Sequence, residues 1–294
     1  PVAFLIVCLC AITFWMLNRF KSIISFKHMA IFTGTVFIVN FFFYGIETLL
    51  HGTWFIEEFI KYHIRLLTTG DAGHGRPIYY HSIVVLTGCF PASILALRYL
   101  FKKAHDGTDI QKNYNKWMLI LFWIVIILFS LVKTKTVLYS SLSYFPVTFF
   151  AALHVWDLIN KKQILRKIDL IFLISFLVFI SFIFISFPIL MVHREWIAPM
   201  IKDKLTRAMI LKPGDWNYGL ALYGTLYLVI LGICIYLINR KKFYTGSISL
   251  FLSSAIGISA FMNVFVGRIE NHSQGSMISF YKELAGKDCY VTSM

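Results

Sequence analysis

The sequence predicts an all-α polytopic membrane protein. Three observations carry that prediction: the apolar composition, the lengths of the apolar runs, and the uneven placement of the basic residues. Of 294 residues, 58% are hydrophobic and 14% charged, 29 are Phe, and the mean hydropathy is +0.72. An ordinary soluble domain is about 25% charged, so this chain is too poor in charge to cover a water-facing surface.

Apolar runs close to the roughly 20 residues needed to cross hydrocarbon recur eight times. They lie near 2–17, 29–46, 79–100, 117–132, 140–158, 169–191, 217–238 and 245–264. The connections at 18–28, 98–116, 159–168 and 239–243 are short and hold fifteen of the 28 Lys and Arg, among them Arg19, Lys112, Lys161 and Lys242. That bias puts them on the inner face, and it puts the longer alternate loops, which carry ten of the fourteen acids, outside. The net charge of +14 is therefore mostly a topology signal. Nucleic-acid binding would need a soluble basic surface that this pattern does not provide, so no nucleic-acid partner is expected.

Other classes of site are weakly represented. Cys8, Cys10, Cys89 and Cys234 lie in spans as small hydrophobes and Cys289 stands apart, so neither a disulfide framework nor metal-type spacing is present. No CxxC, GxSxG, HExxH or phosphate-binding loop pattern occurs.

The ends of the chain read as cuts. The first residues, Pro1-Val-Ala-Phe, fall outside by this topology, so a protein that starts in the cytoplasm needs an odd number of earlier spans. After the last span, Ser276–Leu284 has a helical pattern, Gly286 stops it, and Cys289-Tyr-Val is strand-like. The expected organisation is a transmembrane region over 1–266 and the truncated beginning of a small α/β extracytoplasmic domain over 267–294.

The outer loops hold the candidate chemistry. Thr53–Leu67 has helical periodicity: Phe55, Phe59, Tyr62 and Leu66 form one stripe and Glu57, Glu58, Lys61 and Arg65 lie opposite, with Glu57 and Lys61 four apart. This predicts a helix lying on the outer leaflet. Here His63 falls on the apolar stripe, either as a core histidine with one nitrogen satisfied or as a ligand. Arg65 projects from the polar face, either snorkelling toward headgroups or clamping a phosphate or carboxylate.

Further on, His74, Arg76 and His81 cluster around Gly73, Gly75 and Pro77, where glycine permits close backbone approach and proline starts a helix. Tyr79 and Tyr80 fit an interfacial aromatic belt. Lys133 and Lys135 follow a span directly on the face that should be poor in cations, which asks for a compensating anion or a wet cavity. In an extended stretch the two lysines project to one side, with Tyr139 within reach after the bend. The outer loop 192–216 mixes charges and aromatics, as an amphipathic surface helix does.

Taken in order, these segments resemble the C-terminal part of an integral-membrane glycosyltransferase of the GT-C superfamily, the group that holds the lipid A aminoarabinose transferases and protein O-mannosyltransferase-like enzymes. The resemblance rests on Gly52–Arg65, Gly73–Tyr80 leading to Phe90-Pro91, the Lys135-x-x-x-Tyr139 turn with Tyr144-Phe-Pro146, and the tail Ser279–Val291. It implies transfer of a sugar from a polyprenyl-phosphate carrier to a lipid or protein acceptor at the periplasmic face of a bacterial inner membrane. By position, Lys135 and Tyr139 match the turn that contacts the lipid phosphate, with Lys133 beside it. His63 and Arg65 match the helix that borders the cavity, and His74 the loop that follows.

The resemblance places the catalytic carboxylate in an upstream loop that this sequence does not include, so the catalytic residue is unassigned. A divalent metal is a candidate cofactor, with His63 as its ligand, since imidazole suits zinc. The family's Leu-Pro-His-Tyr is Thr136-Val-Leu138-Tyr139 here, and the proline that follows stands one residue further on. The alternative is a polytopic transporter or flippase of an anionic lipid-linked substrate, in which the same lysines guide the cargo. Transporters commonly carry mid-span charges and internal repeats, and neither is evident in the sequence.

Overall fold

The computed structural model describes residues 2–21, 25–69, 76–101, 107–160 and 165–290, and within these the chain is helical with no β-strand. It divides into two compact units, Pro1–His154 and Val155–Met294. Six helical stretches are long and apolar enough to cross a membrane: Phe26–His51, Asp109–Leu131, Val137–Asn160, Lys167–Val192, Tyr218–Asn239 and Phe243–Ser273.

In the first unit, α1 (Val2–Leu17) is 16 residues long, and it ends where Arg19 and Phe20 turn to positive φ. Helix α2 (Phe26–Asn40) widens into a π turn over Phe41–Gly45 and continues as α3 (Ile46–His51). This span therefore reaches five residues past its expected end. It stops at Gly52, whose φ of 84° is a conformation that side chains disfavour.

The chain reverses there into α4 (Trp54–Thr68), the expected amphipathic helix. Its aromatic stripe folds back on the preceding span, with Tyr44 5.6 Å from Phe59 and 6.3 Å from Phe55. The expected Glu57–Lys61 pair is replaced by Lys61 donating to Glu58 at 2.8 Å, because Glu57 accepts from the Thr53 hydroxyl at 2.8 Å.

The segment expected as one span over 79–100 is two nine-residue helices, α5 (Tyr80–Gly88) and α6 (Ala92–Leu100). Pro91 removes a backbone donor at the break, and the Ser93 hydroxyl spans it by donating to the Leu86 carbonyl at 2.7 Å. Almost all of α6 is buried. Helix α7 (Asp109–Leu131) starts from a Thr108–Gln111 capping box. It packs against α1 through Ile6, Cys10 and Phe14 on one side and Ile120, Val125 and Phe129 on the other. A short extended stretch and a 3-10 turn (Val137–Ser143) then lead into α8 (Tyr144–Asn160).

In the second unit, α9 (Lys167–Val192) begins at an Arg166–Asp169 pair with two bonds of 2.9 and 3.0 Å. The loop that follows forms a short helix, α10 (Arg194–Ile197), and then α11 (Lys204–Leu211). Helix α12 (Ala221–Asn239) lies between α9 and α13 (Phe243–Ser273). The approach to α9 is so close that a Cβ on Gly224 would stand 2.7 Å from the Ile185 backbone nitrogen. Small residues at such contacts let apolar helices associate where lipid offers no hydrophobic drive.

With 31 residues, α13 is about 46 Å long, longer than the roughly 30 Å of hydrocarbon that a span has to cross. The boundary expected at 267 therefore falls inside an unbroken helix. Its C-terminal end is held by His272, which accepts from the Trp216 indole at 2.6 Å and donates to the Met209 carbonyl at 3.1 Å. Helix α14 (Gly275–Leu284) follows as expected. Of the expected strand, Cys289 and Tyr290 are not extended into a sheet, and Val291 lies outside the described residues.

Two outcomes test this architecture. On a Cys289→Ser background, an impermeant maleimide added from outside should label Glu58→Cys and leave Lys112→Cys unmodified; external labelling of position 112 would reverse the topology. The second concerns α11, whose N-cap Asp203 accepts from the Thr206 hydroxyl at 2.5 Å and the Thr206 amide at 2.7 Å. These bonds, the hydroxyl's first, hold the carboxyl below its ordinary value of 3.8. The cap is therefore fully present above pH 3.8 and is lost as pH falls through the lower folded-state value. Hydrogen exchange of the 204–211 amides should show equal protection at pH 7 and pH 5 and lose it only below 3.8.

Candidate functional site

The last four carbonyls of a helix have no intrahelical donor, and at the end of α4 the extended stretch after α7 supplies them. The Lys133 amide donates to the Leu67 carbonyl at 3.4 Å and the Thr134 amide to Leu66 at 3.2 Å. The Thr134 hydroxyl donates to the Thr69 carbonyl at 2.7 Å. Residues more than sixty apart in sequence are thereby joined, and the backbone of Arg65 is brought to the basic turn.

The side chains of that turn do not share one side, contrary to expectation. Lys133 is exposed and meets no partner among the described residues, whereas Lys135 is 3% exposed. Its ammonium turns back under α7 and donates to the Ser130 carbonyl at 3.0 Å and the Val132 carbonyl at 2.5 Å. The physical reason is the negative end of the α7 dipole, where unpaired carbonyls attract a cation. An ammonium has three donors, so one remains for a ligand.

Tyr139, on the 3-10 turn, stacks on Phe129 with ring centroids 5.1 Å apart and planes 23° apart. Its hydroxyl makes no hydrogen bond to a described residue. Arg65 is exposed on α4, with its guanidinium 5.3 Å from the centre of the Tyr62 ring.

His63 is half-buried and packs on Phe59 at 4.2 Å, and its Nδ1–H donates to the Phe59 carbonyl at 2.8 Å. That tautomer leaves Nε2 as a free lone pair. No group of three His, Cys, Asp or Glu able to hold a metal occurs among the described residues. His74 lies outside the described residues.

The structure adds one residue that the sequence marked only as part of a glycine-rich loop cluster. His81 lies in the first turn of α5 and is fully buried, with its ring 5.2 Å from Tyr80 and 6.0 Å from Phe129. Neither ring nitrogen has a hydrogen-bond partner. No periodicity signal separates such a histidine from an ordinary core one.

In the second unit, a cavity of about 290 Å³ is lined by Ile159, Lys241, Lys242, Phe243, Tyr244 and Thr245. These residues adjoin the 239–243 connection between α12 and α13.

Comparison with protein-family models, with curated proteins and with solved structures gives no match. The class defined here is that of a chain whose described residues are helical and include six stretches long and apolar enough to cross a membrane.

The capping role of Lys135 has a measurable consequence. Lys135→Met keeps the length of the stem and removes both bonds to α7, and it should lower the unfolding free energy in detergent by about 2 kcal/mol. Tyr139→Phe keeps the ring stack and should leave it unchanged.

Proposed function

We propose that this chain is part of a glycosyltransferase that moves a sugar from a polyprenyl-phosphate carrier to a lipid or protein acceptor at the periplasmic face of the bacterial inner membrane. The observation that carries the reading is a buried ammonium, Lys135, to which no described carboxylate is bonded, on the same turn as Tyr139, whose hydroxyl has no partner among the described residues, and an exposed lysine. A buried cation without a counter-ion is costly, and an anionic ligand at that turn would balance it.

The chemistry follows from the leaving group. An acceptor hydroxyl attacks the anomeric carbon, the bond to the phosphate oxygen breaks, and its electron pair leaves with the polyprenyl phosphate. The negative charge then grows at a low-dielectric boundary, where fixed donors stabilise the transition state more than the bound substrate. Lys135 offers its third N–H, Tyr139 its hydroxyl and Lys133 an exposed charge, and the resemblance adds Arg65, whose planar fork suits two phosphate oxygens. The acceptor's proton goes to a carboxylate base, which none of these residues supplies. His63 Nε2 can add one ligand to a divalent metal if others are contributed around it.

The test is sugar transfer from a polyprenyl-phosphate donor in reconstituted vesicles, using the intact enzyme. Lys135→Ala should lower turnover by roughly 10²–10³. Because Lys135 also caps α7, the cleaner variant is Tyr139→Phe, expected to fold normally and lose roughly tenfold in turnover. Unchanged turnover in both variants would remove the turn from the reaction. Movement of the intact donor across the bilayer, with no transfer, would favour a flippase instead.

A further inference from the structure

The histidines of this chain allow an internal comparison. His63 donates to Phe59 and His154 Nδ1 to Leu95 at 2.7 Å, while His272 satisfies both nitrogens. Each is what a buried imidazole ordinarily does, since an unmet polar atom away from water costs free energy. His81 is the departure: no exposure, and neither nitrogen bonded.

Its position gives the departure meaning. The ring stands against Phe129, the same side chain on which Tyr139 stacks, and Lys135 donates to the carbonyl of the next residue, Ser130. The charge of Lys135 also reaches the imidazole. Three hydrogen-bonding groups with unused capacity thus gather at Phe129 and Ser130: an imidazole and a tyrosine whose rings pack on Phe129, and a lysine bonded to the Ser130 carbonyl. No described carboxylate is bonded to any of them. An oxyanion satisfies all three at once, because each can present a donor. Water could meet the imidazole but would leave the ammonium without a counter-charge.

We propose that His81 is a direct hydrogen-bonding ligand for a phosphate oxygen of a polyprenyl phosphate, completing a three-donor site with Lys135 and Tyr139. This rests on the glycosyl-transfer reading and assigns to it a binding residue buried in α5. His81→Phe keeps the aromatic packing and removes two orphaned polar atoms, so the variant should melt at or above the wild-type temperature. Its affinity for polyprenyl monophosphate should nevertheless fall roughly 10- to 100-fold. His81→Gln, which retains a donor, should recover most of that loss.

The experiment measures binding of polyprenyl monophosphate to the full chain in phosphatidylcholine nanodiscs, with inorganic phosphate and phosphatidylglycerol as competitors. Neither competitor should displace the ligand at equal concentration. Nitrogen NMR of wild-type protein labelled at His81 gives a reading independent of any variant: the ring resonances should shift when the ligand is added. Equal affinity in wild type and His81→Phe, equal loss in both variants, or an unmoved His81 resonance would overturn the inference alone. Displacement by inorganic phosphate would overturn the lipid assignment of the site. Absence of binding by wild type would overturn the inference together with the glycosyl-transfer reading.

Discussion

The interaction on which the first unit's outer surface depends is the exchange of hydrogen bonds at two helix ends. The carbonyl end of α4 is closed by the amides of Lys133 and Thr134, and the carbonyl end of α7 by the ammonium of Lys135. A helix terminus leaves its last carbonyls without intrahelical donors, and here other parts of the chain are folded onto each. A five-residue stretch serves both ends. The same stretch carries the candidate phosphate ligands, which makes positioning and stability two aspects of one set of contacts.

That double use explains why the two lysines differ. Lys133 contributes its backbone to the junction and leaves its side chain outside, whereas Lys135 contributes its side chain and is withdrawn. Withdrawal of a cation from water is unfavourable by itself and is offset by two carbonyls at a negative dipole end. His81, behind Phe129, has no such compensation.

The second unit uses a different device. Its helices approach closely where Gly224 and Gly246 carry no side chain, and an aromatic ladder of Phe184, Phe261 and Phe265 fills the contact, with centroids 4.0 and 4.2 Å apart. At the C-terminal end of α13, Trp216 and His272 join the loop to the helix through a pair of oriented hydrogen bonds. Lipid supplies no hydrophobic drive between helices, so close packing and such polar bonds hold them together.

By itself the sequence determined the helical class, the positions of the apolar segments and the amphipathic helix after Gly52. Those features depend on composition and on periodicity within one segment, which any local reading recovers. It also marked the 133–139 turn, because two lysines beyond a span stand out against the charge pattern. The tertiary structure alone decided that Pro91 splits a span in two, that α13 continues through 267, that Lys135 faces inward while Lys133 faces out, and that His81 is buried with both nitrogens unmet. Each of these depends on contacts between residues distant in sequence, and whether a polar atom is satisfied is a property of its surroundings in space, which no spacing along the chain encodes.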